Sequence, residues 1–221
     1  MSGARPAWPY RGGELDYPGA VRLQEQLAGR VVKSWTGPAP RTVGGADIAV
    51  GSGRARAAIV VQDLGSLETL EVVVAERPLD WPYLPGLLAF REIPALLAAF
   101  EKLREVPDVL LVDGHGVAHP RRMGVATHLG VELGRPTVGV AKKRLVGTSR
   151  EPRDVRGGRA VLRDGRETIG TVLRTRVGVK PVFVSVGHRI DLPRAVRLAL
   201  RCSRYRLPEP IRAAHRACGS R

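Results

Sequence analysis

Three carboxylates stand out because apolar sequence surrounds them. Asp47 sits inside "TVGGADIAV", Asp113 ends the run "DVLLVDG", and Glu92 lies in "LLAFREIPALL". An acid in an apolar strand is costly unless a cation pairs with it or several acids share one. If the three converge, a hard divalent ion held by oxygens would relieve their repulsion. Mg²⁺ is the expected ion, with Mn²⁺ able to replace it. Such an ion activates water and screens a phosphate. The competing reading is three separate ion pairs with arginine. Lys142, in "VAKKR", closes another apolar run and would add positive charge at the same phosphate; surface charge is its alternative.

Four histidines need weighing beside these acids. His115 and His119 have the spacing of a helical zinc pair, but two glycines and Pro120 break any helix there. His128 falls on an apolar helical pattern and reads as a core residue. His215, in "EPIRAAH", reads from its chemistry alone no differently from a surface histidine.

The elements that must position these groups can be read from hydrophobic period. A helix is predicted over Pro18–Val32. Strands follow at Thr42–Val50, Arg56–Leu64 and Leu67–Arg77, joined by short Gly/Ser turns as an antiparallel meander. Pro85–Arg104 reads as a helix that Pro94 must kink or divide. Then come a strand ending at Asp113, a helix over Met123–Leu133 and a strand at Pro136–Lys142. Two strands within "RAVLRDGRETIGTVLRT", one in "PVFVSVG" and helices near Asp191–Arg204 and Pro208–Ala217 complete the chain. Right-handed crossovers place the fourth and fifth strands parallel to the first. This is the order of an α/β ribonuclease H-like fold, a mixed central sheet flanked by helices. Asp47 and Asp113 then stand on neighbouring strands.

Composition limits the partners. The 221 residues suit one domain over 1–221, with a loose tail over 1–12. The formal net charge is +15, and only Lys33, Lys102, Lys142, Lys143 and Lys180 among the basic residues are lysines. An arginine-rich positive field attracts polyanions, nucleic acid first. Cys202 and Cys218 lack metal-ligand spacing. No signal peptide or membrane-length apolar run is present, so a cytoplasmic monomer is expected.

The blocks "WPYLPGLLAFREIPALL", "VDGHGVAHPRRMGVATHLGV", "TVGVAKKRLVG", "KPVFVSVGH" and "LPEPIRAAH" occur in one order along the chain. In this the sequence resembles the endonuclease V family of deoxyinosine-specific repair nucleases. The resemblance implies that Asp47, Glu92 and Asp113 bind the catalytic metal and that Lys142 and His215 assist at the phosphate. It implies that Pro82, Tyr83, Leu84 and Pro85 form a lesion-probing wedge, and that His119 lies beside the base pocket. Two departures are visible: an aromatic commonly follows the first Asp where "DIA" stands here, and Val186 replaces a usual proline.

The implied substrate is DNA containing a deaminated purine, cut one nucleotide 3′ of the lesion to leave 3′-hydroxyl and 5′-phosphate ends. Gly114 and Gly116 would let backbone approach a flipped base, and Gly124 would keep the pocket narrow. Arg121 and Arg122 would hold backbone phosphates. An inosine-specific endoribonuclease of the same fold is the nearest alternative. A non-catalytic nucleic-acid-binding protein is the other, although it needs no convergent acids.

Overall fold

The computed structural model describes residues 16–219, so the expected loose tail over 1–12 lies outside the described residues. The described residues form helix α1 (Tyr17–Ala28) and strands β1 (Thr42–Gly51), β2 (Arg54–Asp63) and β3 (Thr69–Pro78). Helix α2 (Leu88–Phe100), strand β4 (Val109–Asp113), helix α3 (Val125–Leu133) and strand β5 (Thr137–Ala141) come next. Strands β6 (Arg159–Asp164), β7 (Glu167–Leu173) and β8 (Val182–His188) precede helices α4 (Leu192–Arg201) and α5 (Glu209–Gly219).

All eight strands join one sheet in the order β3-β2-β1-β4-β5-β8-β7-β6. The β1–β4 and β4–β5 pairs are parallel, and β8 returns antiparallel on β5. The meander is tight at its first turn. Ser52 and Gly53 join Gly51 to its partner Arg54, and both take positive φ, which matches the twist of a two-residue hairpin.

Alternation along the strands divides the core. Ala55, Ala57, Ile59 and Val61 of β2 pack with Ile93, Leu96 and Leu97 of α2 and with Leu129 of α3. Ala58 and Val60 face Ala214 and Cys218 of α5 on the opposite side. Val109, Leu111, Val138 and Val140 face Ala195, Val196 and Ala199 of α4 on the α5 side. The molecule is therefore three layers, helix–sheet–helix.

Several boundaries differ from the sequence expectation. Helix α2 starts at Leu88 because Gly86 takes φ +78, which a helix cannot include. Pro94 does not divide the helix, which continues through it to Phe100. Its buried face, with Phe90, Ile93, Leu96 and Leu97, outweighs a backbone cost of about 3 kcal/mol. Helix α3 begins at Val125 because Gly124 is extended at its N-cap, and α1 stops before Gly29. No helix among the described residues is long and apolar enough to cross a membrane.

Candidate active site

Strand register brings the two aspartates together. The parallel β1–β4 series runs from Val43 beside Val109 to Ala46 beside Val112. The next residues in that series are Asp47 and Asp113. Ala46 and Val112 both belong to the α2-side core, so period-two alternation turns the following carboxylates toward the α5 side.

Helix α5 meets β1 at a glycine. A Cβ on Gly45 would lie 2.0 Å from the Pro210 carbonyl carbon, so only glycine lets the helix seat this closely. Seated there, α5 delivers His215, whose Nδ1 lies 2.7 Å from Asp47 Oδ2. The other Asp47 oxygen accepts from Ile48 N at 2.9 Å. The buried thiol of Cys218 donates to the Asp47 carbonyl at 3.0 Å, fixing the same stretch of helix.

Lys142 is the first residue beyond β5, and its Nζ stands 2.5 Å from Asp113 Oδ2. Burial holds the Asp113 carboxyl above its ordinary pKa. The Lys142 ammonium draws it back down, and the Asp47 charge adds to the rise. Glu92 reaches the pair from α2. Burial first, then the charges of Asp47 and Asp113, push its carboxyl up to about 8.

The donor set fits a hard divalent cation. Carboxylates from β1, α2 and β4 lie close enough for their charges to couple, and burial with that repulsion drives Glu92 toward its neutral form. No group of three metal-ligating side chains among the described residues closes into a ready cage. Asp47 is turned to His215 and Asp113 to Lys142 instead.

A cleft of about 240 Å³ adjoins these acids, lined in part by Glu92, Asp113, Gly114, His119, Met123 and Tyr83. Tyr83 is 67% exposed at its rim, with the Arg91 guanidinium 5.9 Å from its ring centroid. Leu84 and Pro85 line the cleft, and Pro82 is exposed beside it. His119 is buried. Burial, then Arg121, takes its imidazole down to about 4, so it is neutral near pH 7. Its Nδ1 accepts from Arg121 N at 3.2 Å.

Four further residues make contacts within the protein. Gly116 does not line the cleft: a Cβ there would lie 2.0 Å from the Val186 carbonyl oxygen, and its N–H donates to Ser185 Oγ. It is a packing glycine between β4 and β8. Gly124 lines the cleft, and a Cβ there would lie 2.3 Å from the His115 carbonyl oxygen. Arg121 donates to Gln24 Oε1 at 2.6 Å and to the Gly86 carbonyl at 2.8 Å. Arg122 pairs with Asp164 at 2.9 Å and Glu167 at 2.8 Å. Both guanidiniums bind protein where phosphate contacts were expected.

Sequence reasoning missed Gln24. It is fully buried on α1, bonds the carbonyls of Gly86 and Met123, lines the cleft and accepts from Arg121. The only signal was a glutamine on the inner face of an amphipathic helix, which reads as any polar surface residue. Leu145, also missed, lines the cleft from the loop after Lys142. His128 is a core residue as expected, 0% exposed and edge-on to Phe90.

Comparison with known proteins follows the same outline. The family model for endonuclease V matches residues 25–216. An endonuclease V of Roseiflexus sp. (strain RS-1) is 49% identical over 196 residues, 88% of each chain. The crystal structure of the endonuclease V of Streptomyces avermitilis superposes with a TM-score of 0.89 at 44% identity, covering 94% of this chain and 93% of that one. An endonuclease V of Ciona intestinalis, in complex with a 23mer DNA containing an inosine followed by a ribo-adenosine, gives 0.79 at 26% identity over 91% and 94%.

Proposed function

The chain belongs to the endonuclease V family, and from that premise we propose that it is a DNA repair endonuclease acting at deoxyinosine. It hydrolyses the phosphodiester bond one nucleotide 3′ of the lesion and leaves 3′-hydroxyl and 5′-phosphate ends. The observation that carries this reading is the meeting of Asp47 and Asp113 on adjacent strands, Asp113 beside the Lys142 ammonium and Asp47 bonded to His215, with Glu92 close enough to feel both charges.

Asp47, Glu92 and Asp113 would hold Mg²⁺, for which Mn²⁺ could substitute. Bound there, such an ion would supply an activated water and screen charge on the phosphate. Lys142, held at Asp113, places a further positive charge at the phosphoryl oxygens. His215 is held by Asp47 through Nδ1 while most of its side chain stays exposed, so its second nitrogen faces substrate. Water oxygen bonds to phosphorus, the bond from phosphorus to O3′ breaks, and O3′ takes a proton.

Tyr83, presented between Pro82 and Pro85, fills the space left when the base is extruded into the adjoining cleft. The Arg121–Gln24–Gly86 contacts and neutral His119 brace that wedge from behind. The weak pairing of inosine lowers the cost of extrusion. The enzyme acts as a single-domain cytoplasmic monomer.

The test is a duplex carrying one deoxyinosine, incubated with and without Mg²⁺, with the nick mapped. Metal-dependent cutting at the second phosphodiester 3′ of the lesion is expected. Cutting confined to a matched inosine RNA would replace this reading with the endoribonuclease one. Binding with no cutting would replace it with the non-catalytic one.

A further inference from the structure

One open surface groove is distinguished by its charges. It holds about 680 Å³ between the segment after β5 and the outer strand β6, and Arg150, Arg153, Arg159 and Arg163 line it. All four are exposed. The nearby acids are already taken: Glu151 and Asp154 pair with Arg174, and Asp164 and Glu167 pair with Arg122. Among the described residues none of the four lining arginines has an ion-pair partner, and the one acid that also lines the groove, Glu151, is bonded to Arg174, so the groove is net positive.

Position supports a role for that charge. Arg159 and Arg163 are four apart on one face of β6, which spaces them by ~13 Å at the strand rise. That span matches about four nucleotides of one DNA strand along the helix axis. Thr148, at the wall of the groove, adds a hydroxyl donor of the kind that contacts phosphate, while the Ser149 hydroxyl donates to the Arg150 carbonyl at 2.8 Å. The same loop runs back through Leu145, on the wall of the catalytic cleft, to Lys142 at Asp113. One loop therefore joins the acid cluster to the groove.

We propose that this groove is a second DNA-binding surface, which holds the phosphate backbone of duplex flanking the lesion. It rests on the proposed nuclease reading for its place beside the scissile strand. Its ligand is the phosphodiester backbone, so it carries no base specificity and lengthens the footprint.

Binding of undamaged duplexes of increasing length, measured by fluorescence anisotropy in EDTA, tests this without using catalysis. Two paired variants are compared with wild type: Arg159→Thr/Arg163→Thr on the strand, and Arg150→Ser/Arg153→Ser on the loop. Arg77→Thr, on β3 at the opposite edge of the sheet, controls for net charge. Each pair should weaken binding of long duplex on the order of 10-fold and lower the log–log salt slope by about 2. On duplexes too short to reach the groove, wild type and variants should coincide. Affinity and salt slope equal to wild type in both pairs would overturn the proposal, as would an equal loss on the shortest duplex. Failure of wild-type enzyme to nick inosine duplex would overturn the nuclease reading and leave the binding result standing.

Discussion

Replacing Gly45 with alanine should disable catalysis through a helix rather than through any reacting group. The new Cβ would lie 2.0 Å from the Pro210 carbonyl carbon and 2.1 Å from its oxygen. Ordinary contact begins at about 3.4 Å, so relief needs ~1.4 Å of separation between β1 and α5. Strand β1 is held on both sides, by β2 and β4, so the helix moves. His215 travels with it, and its 2.7 Å contact with Asp47 opens toward ~4 Å, beyond hydrogen-bond reach. Misplacement of about 1 Å near a reacting centre costs on the order of 100-fold in rate. Overpacking should cost about 1–3 kcal/mol of stability. The control is Gly44→Ala. Its Cβ would meet side chains, Leu110 Cδ2 at 2.6 Å and Pro107 Cγ at 2.8 Å, on the opposite face of β1. It should lower the melting temperature while leaving His215 in place. Single-turnover nicking of a deoxyinosine duplex, read beside thermal melts, separates the two. Near wild-type nicking by Gly45→Ala, or an equal rate loss in Gly44→Ala, would refute the reasoning.

Three further outcomes follow from the site. In EDTA, the Glu92 carboxyl, raised from 4.5 to about 8, makes folding weaker as pH climbs through that window, by up to about 5 kcal/mol. His128 and His119, lowered from 6.5 to about 3 and about 4, act oppositely: their contribution is lost as pH falls below 6.5. Metal-free stability should therefore peak near pH 6.5 in thermal melts, and Glu92→Gln should flatten the alkaline decline. A melting temperature of wild type still rising at pH 8 would contradict this. Asp113→Ala should abolish nicking in Mg²⁺ yet keep the fold and lesion binding, since it removes one of three repelling acids; near wild-type cutting would exclude Asp113 from the site. Tyr83→Ala should lose far more inosine cleavage in duplex than in single strand, where little stacking resists extrusion; equal losses with a lowered melting temperature would assign Tyr83 to packing.

What the sequence made legible was what depends on local period and element order. The meeting of Asp47 and Asp113 needs only two apolar strands, a crossover rule and side-chain alternation, all present in the chain itself. Whether Pro94 would divide its helix was not legible, because its local cost is visible in sequence while the burial that keeps Leu88–Phe100 in one piece is tertiary. Glycines were only half legible. A glycine announces that something comes close but not what does: Gly116 admits the Val186 carbonyl, Gly45 admits α5 and Gly114 admits the Val125 side chain. The buried role of Gln24 was illegible because its partners lie 62 and 99 residues away.

The arginines make the same point about charge. A net +15 says that the protein favours polyanions, but not which residues serve them. Arg121 and Arg122 stand in the most chemically suggestive segment, yet both hold protein: one bonds Gln24 and the Gly86 carbonyl, the other ties two acids of the β6–β7 hairpin to the His119 turn. Arg174 is 10% exposed and gathers Glu151 and Asp154. Those internal pairings remove acids from the surface near β6 as surely as they use up arginines. The arginines left over therefore face solvent with their field unopposed, on the side of the sheet reached from Lys142 by a single loop. A substrate read at one base but held along many phosphates needs that division. Buried or paired arginines fix the shape that discriminates, and unpaired ones supply attraction that salt can tune.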